Sequence, residues 1–329
     1  MKIGLLLNAV GAPLPGPELI EVAQTAERRG VDGIWVPETI ARDAFSLMAA
    51  VAVSTRRVRV ASCVVNVYSR RPALLAMSYA SLNELSGNRV VAGIGVGNPA
   101  YVTEAFGMEF REGLGKLREA VEILRLAWPG RRFSYAGKHF AIRNWGTGVE
   151  PSKPRLPIYL AAHNPRSLEL GGEMADGVIL NAITTDDIPK LRTHVEVGAR
   201  RAARSPEEVS TASLLFTSVD DDIEKARKRI LRIMAFYLSR PWILKRLGSS
   251  RFAEKVPLIR ATFEEGGVEA VARSLPIEMV ESMAITGTPD DLQRRLGEYE
   301  RAGLDTAILY FVPDGEDPRT TIENQLEHI

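Results

Sequence analysis

The chain has 329 residues, 45% of them hydrophobic and 25% charged, the proportions of an average globular protein with enough apolar residues for a sizeable core. With 42 basic against 41 acidic residues the net charge is +1, so no global field draws in nucleic acid or an anionic membrane surface. Cys63 is the only cysteine, which excludes an intramolecular disulfide and a cysteine-cluster metal site. His139, His163, His194 and His328 are scattered without ligand spacing, so no metal site is expected. No apolar run approaches the ~20 residues of a membrane helix. The apolar start at 3–7 follows a lone lysine, but it is short, lacks a cleavage site and runs into a patterned helix. It reads as a first strand rather than a secretory leader, and the expected class is a cytoplasmic globular protein.

Short β-branched runs alternate with amphipathic helices. A strand is predicted at 3–8, then a helix at 17–29 with Pro17 at its first position and Gly30 just beyond its end. Leu19, Ile20, Ala23 and Ala26 fall on one face of that helix. Strand two is predicted at 31–37, helix two at 44–54, strand three at 58–65, a helix from about 73 to 85, and strand four at 90–94. The strands are nearly continuous in apolar residues, as parallel strands buried on both faces are. A helix at 114–128 ends this rhythm. Residues 132–142 read as a hairpin centred on Gly137 and Lys138, and 144–157 as a Pro/Gly-rich loop.

Alternation resumes with strands at 158–161, 177–180 and 209–217. The stretch 222–276 is helical, longer than one barrel helix needs, and divided by Pro241 and Pro257. It reads as an insertion near the site. Thr288, Pro289, Asp290 and Asp291 form an N-cap, a first-position proline and an acidic first turn, and that helix closes at Gly303. A last strand at 306–312 and a short closing helix follow. About eight strands with intervening helices fit a closed (β/α)8 TIM barrel, with a doubly wound sheet as the alternative. The expected organisation is one domain over 1–329, with a hairpin and loop insertion at 130–157 and a helical insertion at about 236–283.

Barrel enzymes keep their chemistry at the carboxyl ends of strands, and four such ends carry polar residues. Glu38, Thr39, Arg42 and Asp43 follow strand two. There Glu38 is the candidate for moving a proton, Thr39 and Arg42 are candidates for holding substrate, and Asp43 reads better as a helix cap. Asn66 through Pro72 follows strand three, where Arg70 is either a helix-start decoration or an orienting group. Gly93, Gly95 and Gly97 follow strand four. Asn98 stands where a dinucleotide-binding loop would have its third glycine, and this is not the opening βαβ unit. The glycines either permit a tight turn or let the backbone approach a planar ring. Finally, Ala162 to Ser167 leads from a strand end into a helix, with backbone N–H groups suited to a phosphate and with Arg166 and Ser167 adding a charge and a donor. An ordinary capped helix is the alternative. The basic pairs and clusters, such as Arg200 with Arg201, lack interleaved aromatics and read as solvated helix faces.

Several segments in their order and spacing resemble the bacterial-luciferase-like flavin oxidoreductases. They are Trp35-Val36-Pro37-Glu38, Arg42-Asp43-Ala44-Phe45, Asn66 through Pro72, Leu85-Ser86-Gly87-Asn88-Arg89, Gly171 through Gly177, and Thr286-Gly287-Thr288-Pro289. Within that family the chain looks most like the branch using the deazaflavin coenzyme F420, of the methylenetetrahydromethanopterin reductase type. The resemblance implies a TIM barrel holding F420, or alternatively FMN, at the carboxyl end of its strands, and a non-prolyl cis peptide near Ser62, Cys63 and Val64. It also implies that Glu38, Cys63, Val64, Val65, Asn66, Asn98, His163 and Asn164 line the cofactor, whose phosphate meets the turn from Ala162 to Ser167. Thr39 and Arg70 fall near the substrate. Homodimers or homotetramers are usual among such proteins. The chain departs from its relatives at Thr39, Asn98 and Leu6, where they carry acid/base groups. The implied activity is F420-dependent hydride transfer with a small organic substrate. An FMN-dependent monooxygenase and a non-catalytic flavin binder are the alternatives.

Overall fold

The computed structural model describes residues 1–7, 14–39, 42–148, 155–248, 250–313, 315 and 317–329. Asn8, Ile40, Ala41 and residues 149–154 of the predicted Pro/Gly-rich loop lie outside the described residues. The first strands are β1 (Lys2–Leu6), β2 (Gly33–Val36), β3 (Arg59–Ser62), β4 (Val65–Asn66) and β5 (Val90–Gly95). A separate antiparallel hairpin follows, β6 (Phe133–Ala136) with β7 (Ala141–Trp145). The parallel series then continues with β8 (Ile158–Ala161), β9 (Gly177–Asn181), β10 (Ser210–Val219), β11 (Ile285–Gly287) and β12 (Thr306–Phe311).

Eight of these strands, β1, β2, β3, β5, β8, β9, β10 and β12, pair in chain order, and β12 returns to β1 with Lys2 opposite Thr306. The sheet is therefore a closed eight-stranded parallel barrel ringed by helices, a (β/α)8 TIM barrel, and the doubly wound alternative is set aside. The short β11 adds to the carboxyl end of β10, with Val219 opposite Gly287.

Alternation along each strand sorts side chains between two cores. Leu6, Trp35, Ala61, Val91, Ile179, Ala212, Ile308 and Tyr310 fill the interior, while Leu5, Ile34, Val60, Ala92 and Leu309 meet the helices. The inward layer needs small partners for its large rings. A Cβ on Gly4 would sit 2.4 Å from the Trp35 indole, and one on Gly177 2.6 Å from the Tyr159 ring. The outer helices end where their sequence says they should. Asp43 caps Ala44–Ser54, and Thr288 with Asp291 forms a capping box on Pro289–Arg301. In Gly16–Arg28 the buried face is Leu19, Val22, Ala23 and Ala26. Val22 thus joins the predicted Leu19, Ala23 and Ala26, and Ile20 sits at the edge of that face, partly buried against the same core.

Three features depart from a simple barrel. The predicted strand at 58–65 is interrupted. β3 ends at Ser62, the Cys63–Val64 peptide bond is cis, and pairing with β5 resumes only at Val65. The Ser62 hydroxyl bridges the gap, accepting from the Gly93 N–H at 2.9 Å and bonding the Gly93 carbonyl at 2.8 Å, with the Tyr79 hydroxyl 2.6 Å away. Secondly, the hairpin is tied to the helix Gly113–Ala127 by Glu119, whose buried carboxylate accepts the N–H groups of Lys138, His139 and Phe140. Thirdly, the region after β10 is four helices, Ile223–Leu238, Pro241–Leu247, Val256–Ser274 and Ile277–Met283. Pro241 and Pro257 stand at the starts of the second and third of these and so divide the region as the sequence indicates, and a further break falls inside the third at Gly267. Ile233, Met234, Leu238, Ile243 and Leu244 of this segment join Phe216, Tyr310 and Val312 from the strand ends in one apolar cluster.

The Ser62 knot makes a prediction. A Cβ on Gly93 would lie 1.8 Å from the Ser62 carbonyl oxygen, backbone that cannot rotate away. Gly93→Ala is expected to cost at least the ~1–3 kcal/mol of an overpacked core, read as a lower urea midpoint at unchanged slope. An unchanged midpoint would show that the segment through Ser62 shifts freely.

Candidate active site

Three loops meet at the carboxyl end of β2, β3–β4 and β5. Glu38, two residues past β2, is not solvated. Its side chain is 7% exposed and Oε1 accepts from Arg70 Nε at 2.7 Å. Arg70 also bonds Asp43 and lies over the Phe45 ring, 4.7 Å from its centroid. It is thus an orienting group that ties together the loops after β2 and β4. Asp43 accepts from the Ser46 N–H at 2.7 Å and Ser46 hydroxyl at 2.6 Å, so it is a helix cap and an anchor for Arg70 at once.

The two carboxyls are driven apart. Burial raises Glu38 above the ordinary carboxylate range, against the hydrogen bond and charge of Arg70, and the Asp43 charge adds to the rise. Burial also pushes Asp43 up, but the bonds from Ser46 and the charge of Arg70 together outweigh it and hold it low. Glu38 Oε2, Arg42 Nη1 and Ser69 Oγ are buried without a hydrogen-bond partner among the described residues. Such atoms are rare and ask for an occupant. Arg42 donates from Nη2 to the Leu14 carbonyl. Thr39 lies partly exposed beside Glu38.

Cys63 and Val64, at the strand break, both pack on the inner cluster, whereas regular strand residues would alternate. Desolvation pushes the Cys63 thiol up to about 12, so it is no thiolate nucleophile. Val64 and Ala161 crowd Gly95, each about 3 Å from where its Cβ would be (2.9 and 3.0 Å), and a Cβ on Gly97 would meet Asn66 at 2.8 Å. Gly97 also has φ +72°. The glycine loop is therefore explained first by the approach of the protein's own β3–β4 segment. Val65 is fully buried toward the helices, so only its backbone can face a ligand. Asn66 Oδ1 accepts the N–H groups of Tyr68 and Ser69, and Asn98 Oδ1 that of Ala100, so both side-chain oxygens shape turns.

The turn from Ala162 to Ser167 is brought to the same end of the barrel, with one correction. Its N–H groups are not free. Ala162 donates to Ile179, His163 and Asn164 to the Ser167 hydroxyl, and Ser167 to Asn164 Oδ1. This is the capping box of Pro165–Met174, and it leaves the Arg166 N–H and its exposed side chain as the groups on offer. Two more residues belong to the mouth. Asn181, which ends β9, donates to the Tyr237 hydroxyl of the helical segment, and the Tyr237 ring lies 4.8 Å from Phe216. An asparagine closing an apolar strand was the visible sign of the first; nothing local marks Tyr237 as its partner.

A family model described as luciferase-like monooxygenase matches residues 1–306. The chain belongs to the luciferase-like monooxygenase family. It is 32% identical to a 5,10-methylenetetrahydromethanopterin reductase of Archaeoglobus fulgidus over 93% of this chain and 92% of that one. With the reductase of the same name from Methanolobus tindarius it shares 30% identity over 94% of each. Among solved structures, the F420-dependent tetrahydromethanopterin reductase of Methanopyrus kandleri superposes with a TM-score of 0.85 at 24% identity, over 100% of this chain and 97% of that one. This likeness shows the fold. Family membership fits the barrel and the strand break, and the open question passes to what the mouth holds.

The electrostatics of Glu38 can be tested by stability. Its raised pKa means that, between the ordinary carboxylate value and the raised one, the folded chain holds more protons than the unfolded chain. The stability it contributes is therefore lost as pH rises through that window. The unfolding free energy of wild type minus that of Glu38→Gln should fall with rising pH there, measured by denaturant unfolding across the mildly acidic range. A flat or rising difference would mean that Arg70 outweighs burial.

Proposed function

We propose that this protein is a coenzyme F420-dependent oxidoreductase acting on a small organic substrate of the methylenetetrahydromethanopterin class. The observation that carries the reading is likeness to reductases of that name over more than nine tenths of the chain. A putative coenzyme F420-dependent oxidoreductase is similar at 26% identity, and two F420-dependent glucose-6-phosphate dehydrogenases at 28% and 30%. The mouth fits a bound ring and tail. It offers a partly exposed Val64, a buried carboxyl oxygen without a partner at Glu38, and an exposed arginine at the turn after β8.

When bound, the deazaflavin supplies hydride chemistry at its C5. The chain's own residues do the rest. Cys63 and Val64 form the support for a planar group, and the backbone of Val65, Asn66 and Asn98 borders it. His163, Asn164 and Arg166 border the phosphate end. Glu38 handles the proton. Burial raises its pKa above the usual carboxylate value, the direction that suits a proton-handling group, while Arg70 fixes its orientation through Oε1 and Oε2 has no hydrogen-bond partner among the described residues. Thr39 and Arg42 border the substrate. Leu6 is buried in the barrel interior, so no acid/base group comes from β1.

No described helix is long and apolar enough to cross a membrane. The reading places the enzyme in the cytoplasm, assembled as a homodimer or homotetramer, which light scattering on the purified protein checks. The deciding experiment is a fluorescence titration with F420 and separately with FMN. F420 should bind tightly and FMN weakly. The reverse, with turnover that consumes oxygen, would move the protein to the alternative of an FMN-dependent monooxygenase. With methylenetetrahydromethanopterin as substrate, Glu38→Gln should lower kcat by ~10²–10⁴-fold with F420 affinity little changed. Unchanged turnover would remove Glu38 from the chemistry.

A further inference from the structure

Outside the barrel mouth the structure holds a cavity of about 310 Å³ between the helices Gly113–Ala127 and Pro165–Met174, with Arg201 from the end of Asp187–Arg201 closing it. Arg166, Glu169, Leu170 and Glu173 line it from one helix and Gly115 and Arg118 from the other. Residues at spacings of three, four and seven share a helix face, so the cavity is a groove running along Pro165–Met174. From Arg166 to Glu173 it extends roughly 10 Å at the helical rise.

The charges of this groove are layered. Arg118 makes a two-point contact with Glu173, 2.6 Å to each oxygen, and Arg201 bonds Glu169 at 2.8 Å. In both pairs the carboxylate is the deeper partner: Glu173 and Glu169 side chains are 23% and 24% exposed, against 41% and 57% for Arg118 and Arg201. The glutamates therefore hold the guanidinium groups from beneath, and the accessible wall is cationic. A guanidinium has five donors. Arg118 spends two of them on Glu173 and Arg201 one on Glu169, so donors remain for a ligand. Arg166 has no carboxylate partner among the described residues, and it sits at the end of the groove nearest the barrel mouth. The opposite wall is continuous with the mouth too. A Cβ on Gly113, which opens the other helix, would touch Val96 of the glycine loop at 2.8 Å.

We propose that this groove binds a chain of carboxylates leaving the barrel mouth, namely the oligoglutamate tail that follows the phosphate of F420. The inference rests on the F420 reading above and adds a second, outer subsite to it. Arg166 stands at the phosphate end of the groove, and Arg118 and Arg201 take the carboxylates that follow. A lone planar ring in the mouth could not reach these groups, whereas a flexible anionic chain about 10 Å long meets them.

The test is a fluorescence titration with three forms of the cofactor: the deazaflavin riboside without phosphate, the phosphorylated form without glutamates, and F420 with several glutamates. For wild type the glutamylated form should bind about three- to thirtyfold more tightly than the form without glutamates. Added salt should erase that advantage while leaving riboside binding almost unchanged. Arg118→Ala and Arg201→Ala should each reduce the tail's advantage without weakening the riboside, which also reports that the variants are folded, whereas Arg166→Ala should weaken both phosphorylated forms alike. Equal affinity of the forms with and without glutamates overturns the groove and leaves the F420 reading standing. Failure of all three forms to bind overturns the cofactor reading and the groove with it.

Discussion

The mouth of this barrel depends on one serine hydroxyl. Ser62 ends β3 and, by bonding both the N–H and the carbonyl of Gly93, takes over the job of the strand ladder where the ladder stops. A strand broken in a barrel wall exposes backbone donors and acceptors that the interior cannot hydrate. Here the side chain satisfies them, with Tyr79 closing the network from the helix side. The absence of a side chain at Gly93 is what lets the serine segment approach so closely. With the seam held, the chain can set Cys63 and Val64 on the same side, turn Val65 outward and rejoin β5. The Asn66 turn then aims the following segment, and through it Arg70, at the loop after β2.

From that point the site is an electrostatic arrangement with one cation and two acids of different fate. Arg70 shares its donors between Glu38 and Asp43. Asp43 is also held by a helix N-terminus, which keeps its pKa low, so the buried Glu38 is the member whose pKa rises. This asymmetry comes from position alone, since the two carboxyls have nearly the same chemistry. The helical segment after β10 adds the dry side: its apolar residues join those of the strand ends, and Tyr237 fastens it to Asn181.

Much of this was legible in the sequence, and the limits of legibility have physical causes. The helix at 44–54 and the strand at 158–161 stand at their predicted bounds, because an aspartate cap and a short apolar run are local devices. The family resemblance led to the cis bond and to the mouth residues. The break between Ser62 and Val65 could not be read from pattern, since the run from Val58 to Val65 is apolar almost throughout and one periodicity fits both an intact and a broken strand. The glycines after β5 were visible, yet their reason lies in a segment 30 residues earlier. At the turn after β8 the residue types were informative while their hydrogen bonds were not, because Ser167 and Asn164 consume the donors that an isolated turn would offer. Likewise Arg201 looks like a solvated surface charge until Glu169, on another helix, comes up beneath it.

The closure of the barrel has a consequence for how the protein is made. β1 pairs on one side with β2, its neighbour in the chain, and on the other with β12, which follows roughly 300 residues later. At ribosomal rates of about 5–20 residues per second, that edge stays open for about 15–60 s after β1 emerges. Throughout that interval the nascent chain is a partial bowl with an apolar lining and an unpaired rim, a form prone to join the rim of another copy. The seam between the first and last strands is thus the step at which synthesis, folding and aggregation compete, and a chaperone that shelters the growing chain would act longest there.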